Sequence, residues 1–123
     1  MIESMRDHRK LRAFELADAL ITAIYPATRT FPKEEMFGLT SQLRRAAVSV
    51  AANIVEGCAR ESRREYSNFL NLAFGSLRET GYLIDLAHRL GYLPVDKASD
   101  LSRRYDECAR VLSGLIRSLR LPS

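Results

Sequence analysis

The sequence predicts an all-α protein, an antiparallel up-down-up-down four-helix bundle, and three observations lead to that prediction. Apolar residues recur every three or four positions along most of the chain, which is the period of a helix with one buried face. Only six glycines and four prolines occur, and they cluster near the predicted helix ends. The connections between periodic segments are short, and short connections place successive helices antiparallel.

Two helices are predicted in the first half of the chain. The first covers residues 6–30, where Pro26 is expected to kink the helix or to end it early, because proline lacks a backbone N–H. The second covers residues 39–60, after a short helical turn that begins at Pro32 and carries acidic residues near its start. With two further helices, they suit one domain spanning residues 1–123.

The third and fourth helices are predicted in the second half. The third begins near Ser62, whose hydroxyl is a candidate N-cap with Glu65 as the reciprocal partner in a capping box. It ends near Leu90, because Gly91 is a favourable residue just after a helix C-terminus. The fourth helix covers residues 96–120.

Two glycines, Gly75 and Gly81, fall inside the predicted third helix. A glycine there costs about 0.5–1 kcal/mol relative to alanine. Two interpretations stay open, namely close approach of a neighbouring helix backbone and simple tolerance of the cost.

The second helix carries a polar row beside its apolar stripe. At about 100° per residue, the row falls on the arc next to that of Leu43, Val50 and Ile54. The remaining face is mostly alanine and valine, so we expect other protein to enclose it in an oligomer. An enclosed polar group that loses its partner costs about 1–3 kcal/mol, and replacing Asn53 or Glu56 by alanine is expected to cost that much if a buried partner is left. The predicted network consists of Gln42, Arg45, Ser49, Asn53, Glu56 and, from the third helix, Glu79.

The chain is basic, with a formal net charge of +4, and sixteen of its nineteen basic residues are arginine. Arginine offers several donors to phosphate or carboxylate, so the charge allows RNA, DNA or an acidic protein as a partner. The alternative is a surface of intramolecular ion pairs. Tyr66 lies near the start of the third helix and is a candidate for stacking on a base. The candidate phosphate contacts are Lys10, Arg12, Arg44, Arg60, Arg63 and Arg64.

The sequence offers little for a catalytic or metal site. A di-metal site in a four-helix bundle needs two Glu-x-x-His motifs, whereas Asp85 and His88 form the only pair of that shape. Gly-rich phosphate loops are missing, and Cys58 and Cys108 have no histidine at a recognisable motif spacing. We therefore expect no enzymatic activity, no metal and no cofactor, with both cysteines as reduced thiols in the core.

The predicted location is the cytoplasm. No apolar run approaches the ~20 residues of a membrane span, and the N-terminus lacks the apolar region of a secretory signal. Reduced cysteines also suit a cytosolic protein. We therefore expect no membrane contact.

A family resemblance rests on a long ordered run, FPKEEMFGLTSQLRRA at residues 31–46, continued by Ser49 and by NIVEG at residues 53–57. Further matches are Ile24-Tyr25, AFGSLRE at residues 73–79 and LGYL at residues 90–93. Over about residues 10–118 the chain resembles the 23S rRNA intervening-sequence protein family of four-helix bundle proteins. Phe14 occupies a position where a tryptophan is common in the family, so the core residue at this position is still aromatic.

The resemblance implies a left-handed antiparallel bundle and assembly into a ring-like homopentamer. Some members of this family are encoded within insertions of ribosomal RNA genes. A related branch serves as an accessory factor to the reverse transcriptase of diversity-generating retroelements and binds nucleic acid. The positions that the resemblance marks, which we interpret as packing and network residues, are Gln42, Arg45, Ser49, Asn53, Glu56, Gly57 and Glu79.

Three functional hypotheses follow from the sequence. The first is a non-enzymatic, oligomeric protein that binds RNA or DNA through its arginine-rich surface. The second is a protein-interaction scaffold, or an accessory factor for a partner enzyme such as a reverse transcriptase. The third, a small bundle enzyme or metalloprotein, has the least support because the required motifs are missing.

Overall fold

The structure, a computed structural model, describes residues 6–120 and is helical throughout. It contains two short 3-10 turns, His8–Lys10 and Lys33–Glu35, and no strand occurs in this range. The all-α class predicted from the sequence is confirmed. The four helices are α1 Arg12–Thr28, α2 Leu39–Cys58, α3 Arg63–Arg89 and α4 Val95–Ser118.

The helices pack as a bundle. Each one contacts the next along the chain, α4 also contacts α1, and the α2–α3 interface is the most extensive. Within residues 6–120 the backbones of the diagonal pairs, α1 with α3 and α2 with α4, do not come within 8 Å. At one end, Arg44 near the start of α2 donates to the carbonyl of Tyr25 near the end of α1. The up-down-up-down order and the left-handed sense of the bundle stay predictions.

A core of aliphatic side chains lies between the helices. Burying one leucine or isoleucine side chain contributes roughly 1.5–3 kcal/mol, and all four helices contribute such residues. The largest fully buried side chains of the helices include Leu20, Ile24, Leu43, Ile54, Leu70, Leu77, Ile84, Leu101 and Leu112.

The first helix begins at Arg12, not near Arg6 as the apolar period predicted. The carboxylate of Asp7 accepts the backbone N–H of Arg9 at 3.0 Å and its guanidinium at 2.9 Å, which closes the separate turn at His8–Lys10. These bonds lower the pKa of Asp7 to about 2. Leu11 is then extended, with φ −88° and ψ 127°. The hydrogen bonds of the Asp7 side chain thus stabilise a separate turn, which replaces the predicted N-terminal extension of α1.

The end of α1 lies two residues before its predicted end. Pro26 is inside the helix, which stops at Thr28. The hydroxyl of Thr28 donates to the carbonyls of Ile24 at 2.9 Å and Tyr25 at 3.1 Å, so the side chain satisfies backbone acceptors of the last turn.

Both ends of α3 agree with the sequence prediction. The hydroxyl of Ser62 accepts the N–H of Glu65 at 3.0 Å, as an N-cap does. Gly91 has φ +82°, and its N–H donates to His88 O while that of Tyr92 donates to Ala87 O. These two bonds are those of a Schellman motif, which needs a residue that tolerates positive φ.

The glycines of α2 and α3 differ in what surrounds them. A Cβ on Gly81 would lie 2.5 Å from the ring of Tyr105 in α4, so this glycine permits a close approach. A Cβ on Gly57 would lie 2.9 Å from Phe69 Cβ, where α2 crosses α3. Nothing lies within 4 Å of the corresponding point on Gly75. Gly81 therefore makes room for an aromatic side chain and not for a helix backbone, and the close-approach interpretation is wrong for Gly75 among the described residues.

No helix in the described part of the chain has the length and apolar character needed to cross a membrane.

Candidate nucleic-acid interface

Cationic side chains gather where α1 and α3 begin and α2 and α4 end. The backbone N–H of Arg6 donates to Cys58 O at 3.3 Å and its guanidinium to Arg60 O at 2.9 Å. Arg63 donates to Ser118 O at 3.3 Å, which joins the end of α4 to the same region. We call residues 6–12, 56–66 and 117–120 the basic end. Its cations are Arg6, Arg9, Lys10, Arg12, Arg60, Arg63, Arg64, Arg117 and Arg120, and its carboxylates are Asp7, Glu56, Glu61 and Glu65.

Lys10 and Arg64 are the candidate phosphate contacts with the greatest freedom. Both are exposed, and neither side chain has a hydrogen bond or ion pair with any residue between 6 and 120. A phosphate bound there need not displace an existing partner. Among the six candidates, these two side chains are therefore the ones that can bind a phosphate at the least cost.

Arg12 and Arg63 have intramolecular partners that an anion could replace. Arg12 lies 3.4 Å from Glu107 and 3.7 Å from Glu15, with all three side chains exposed. Arg63 donates to a backbone carbonyl at the end of α4. Exposed ion pairs contribute roughly 0–1 kcal/mol, so such contacts leave an arginine able to rearrange toward phosphate.

Arg60 is held by its own chain. Its guanidinium pairs with Glu56 and stacks 4.8 Å from the ring centre of Phe69. Its Nε is buried without a hydrogen-bond partner among the described residues. Arg60 thus anchors the end of α2 to α3, a role that competes with binding a ligand.

Arg44 lies away from the other five candidates. It donates from Nε to Thr28 Oγ1 at 2.9 Å and stacks 4.6 Å from the ring centre of Tyr25. These partners are in the last turns of α1, whereas Lys10 and Arg12 flank its start. The structure does not bring Arg44 to the basic end, because the sequence cluster Arg44-Arg45 is at the opposite end of α2.

Tyr66 cannot stack on a base in this structure. It is 3% exposed, and the guanidinium of Arg6 covers its ring at 4.0 Å from the centre. Burial raises the pKa of Tyr66 to about 12. This cover by Arg6 was not predictable from the sequence, because no local pattern links Arg6 to a residue sixty positions away.

The predicted polar row lies in the outward groove between α2 and α3. Ser49 and Ser76 share a hydrogen bond of 2.9 Å, and Asn53 donates to Ser49 O at 2.9 Å and to its Oγ at 3.1 Å. Gln42 donates to Glu79 at 3.4 Å. Arg45 lines the same groove. The structure brings these residues together, with Ser76 as a partner that the sequence analysis did not name.

Glu56 is exposed and pairs with Arg60 one turn away. The expected penalty for an unpaired buried group therefore does not apply to Glu56 in a single chain. Glu56→Ala should lower the free energy of unfolding by only about 0.3–0.5 kcal/mol, the value of an exposed helical pair. Urea unfolding measures this change in the free energy of unfolding, with Glu61→Ala as the control variant. A loss above about 1 kcal/mol would mean that Glu56 is buried in an assembly.

The outer face of α2 is apolar and uncovered in the chain. Val48 is 41% and Val55 is 37% exposed, and Ala52 between them is also exposed. On α3, Leu72 is exposed as well. The chain's own helices leave this face uncovered, and its enclosure by other protein in an oligomer stays a prediction.

The residues considered for chemistry have other contacts. Asp85 pairs with Arg89 at 2.8 Å, and His88 Nδ1 lies 3.0 Å from Leu93 O. Within residues 6–120 no group of three or more His, Cys, Asp or Glu side chains is arranged to hold a metal ion. Cys58 and Cys108 are buried free thiols, as predicted, and burial raises the pKa of Cys108 to about 12.

The fold and surface define a small helical-bundle protein with one basic end and one uncovered apolar helix face. The chain belongs to the 23S rRNA-intervening sequence protein family, whose sequence profile matches residues 9–114. The resemblance found in the sequence is thereby confirmed.

The fold is similar to that of a protein whose structure has been solved. That structure is a crystal structure of a protein of unknown function from the S23 ribosomal protein family of Bacteroides thetaiotaomicron. The TM-score is 0.78 over 85% of this chain and 95% of that chain, at 23% sequence identity. A search of curated proteins found no match. Neither the family description nor that of the neighbour names a reaction.

Proposed function

We propose that this protein is a non-enzymatic, oligomeric nucleic-acid-binding protein whose basic end holds phosphates. The observation that carries the proposal is the pair of exposed cations Lys10 and Arg64, which have no hydrogen bond or ion pair with another residue of the range 6–120 and are surrounded by further arginines. Phosphate contacts by Lys and Arg give affinity that depends little on sequence and strongly on salt. The overall charge of +4 adds a favourable long-range field.

Replacing Arg63 and Arg64 by alanine should weaken nucleic-acid binding across all sequences. The reason is the loss of two cations beside Lys10, and the slope of log affinity against log salt should flatten by about one unit per lost phosphate contact. Fluorescence anisotropy with a labelled oligonucleotide measures both quantities.

The matched control is Arg103→Ala with Arg104→Ala, an adjacent pair on α4 in which both arginines bond Asp100. This pair should leave affinity close to that of the wild type. Equal affinity of the Arg63/Arg64 variant and the wild type would remove these two residues from the interface.

The proposed partner for the outer face of α2 is a second copy of the chain, in a homo-oligomer. Support comes from the exposed Val48, Ala52 and Val55, an apolar strip on the exterior of α2 beside the exposed Arg45 and Glu56. The family resemblance suggests a pentamer. Repeating the basic end around such an assembly would increase its field at each phosphate.

A protein-interaction scaffold is the second candidate, and the loop before α2 favours it. Phe37 is 93% exposed and Met36 beside it is exposed too. Glu35 fixes this loop, because its carboxylate accepts Leu39 N–H and Tyr92 O–H, each at 3.0 Å. Exposed aromatic and methionine side chains on a fixed loop are typical of protein interfaces. The scaffold becomes the better account if the protein shows no nucleic-acid binding at physiological salt.

A further inference from the structure

The aromatic rings at the basic end are covered by the protein itself. Tyr66 lies beneath Arg6, and Phe69 lies beneath Arg60. Phe14, in the first turn of α1, meets His8 edge-on at 4.8 Å and packs against the core. Among the described residues of this region, Tyr66 is buried, His8, Phe14 and Phe69 are half-buried, and none of these rings is exposed.

The exposed aromatic side chains lie elsewhere on the chain. Tyr25 is near the end of α1, Phe37 precedes α2 and Tyr82 is in the second half of α3. These positions are remote in the bundle from the starts of α1 and α3. The exposed rings are therefore separated from the cations of the basic end.

We propose that the basic end recognises the phosphate backbone of double-stranded nucleic acid without contacting the bases. This inference rests on the proposed function and specifies its ligand class. Proteins that bind single strands rely on aromatic side chains for base stacking, and the basic end offers none. Binding through phosphate alone favours the ligand with the highest charge density, which is the duplex, with one charge per about 1.7 Å of axis.

The contacts assigned to this ligand are Lys10 and Arg64. Both are exposed and without partners within residues 6–120. Lys10 precedes α1 and follows Arg6, whose backbone bonds to Cys58 at the end of α2, and Arg64 is in the first turn of α3. Arg6 and Arg60 are excluded from this role because their guanidinium groups already cover Tyr66 and Phe69.

The test compares one mixed sequence as duplex DNA, duplex RNA and each single strand. Anisotropy titrations of the full-length, nuclease-treated protein are run across a salt series. We expect both duplexes to bind at least about tenfold more tightly than either single strand, with the salt slope of a phosphate-only contact. Tighter binding of one duplex than the other supports the proposal and identifies the source of the phosphate.

A pair of variants with equal charge loss locates the contact. Lys10→Ala with Arg64→Ala should reduce the duplex salt slope by about two units. Arg29→Ala with Lys33→Ala removes the same two charges beyond the far end of α1, where both side chains are exposed and without partners in the described chain. This control should keep the wild-type slope.

The possible results distinguish a failure of the duplex preference from a failure of the proposed nucleic-acid binding. Absence of binding to every probe at low salt would overturn the proposed function. Single strands that bind as tightly as duplexes would overturn the inference alone, and so would equal slopes for the two double variants.

Discussion

Replacing Val48 and Val55 by aspartate should convert the protein from an oligomer to a monomer. Both side chains point outward from α2 and are over one-third exposed, so the variant should fold normally as a single chain. In an assembly that covers this face, two buried carboxylates per chain would each lack a partner, which costs several kcal/mol. Light scattering after gel filtration measures the mass, and circular dichroism verifies the helix content.

The control for this prediction is Val95→Asp. Val95 is also exposed, but it lies in the first turn of α4, where an acidic residue suits the helix dipole. This variant should keep the wild-type mass. A wild-type protein that is already monomeric, or a Val48/Val55 variant with the wild-type mass, would contradict the account of the α2 face.

Gly57→Ala should lower the free energy of unfolding by about 1–3 kcal/mol, as overpacking of a fitted contact does. The new Cβ would lie 2.9 Å from Phe69 Cβ and 3.4 Å from Tyr66 O. Neither atom can move without moving the backbone of α3, so the strain should exceed the about 0.5–1 kcal/mol that alanine gains in a helix. Urea unfolding monitored by circular dichroism measures the difference.

The same substitution at Gly75 should have the opposite sign. Gly75 is also inside a helix, yet nothing lies within 4 Å of its Cβ position. Gly75→Ala should therefore stabilise the chain by about 0.5–1 kcal/mol. Equal effects at the two glycines would mean that the α2–α3 contact at Gly57 is looser than described.

The features that were predictable from the sequence are those with local causes. The cap at Ser62 and the stop at Gly91 each depend on residues within a few positions, so their residue types predicted both ends of α3. The predicted start of α1 was wrong, and the cause of this error is also local. The hydrogen bonds of Asp7 compete with the helix, and the apolar period contains no information about them.

The functional assignment of individual arginines could not be predicted, because their partners are distant in sequence. Arg44 joins α2 to Tyr25 and Thr28, and Arg6 covers Tyr66. Composition and clustering identified where cations concentrate along the chain. Only the packing of the helices separates arginines that hold the bundle together from cations that remain available to a ligand.

The polar row of α2 shows both what a local sequence pattern predicts and what depends on distant residues. Its spacing along α2 correctly predicted one face, and Ser49 and Asn53 do bond to each other. The partner Ser76 comes from α3, and its position depends on the register between the two helices. Whether other protein covers this groove depends on assembly, which neither periodicity nor the single chain specifies.

The most direct test of the central claim is a binding titration of the nuclease-treated wild-type protein against nucleic acid across a salt series. The account predicts an affinity on the order of micromolar at about 0.15 M salt, with affinity falling log-linearly as salt increases. No binding at that salt, or an affinity that does not change with salt, would contradict it. The cations of the basic end would then be surface and structural charges, and the fixed loop at Phe37 would be the better starting point for function.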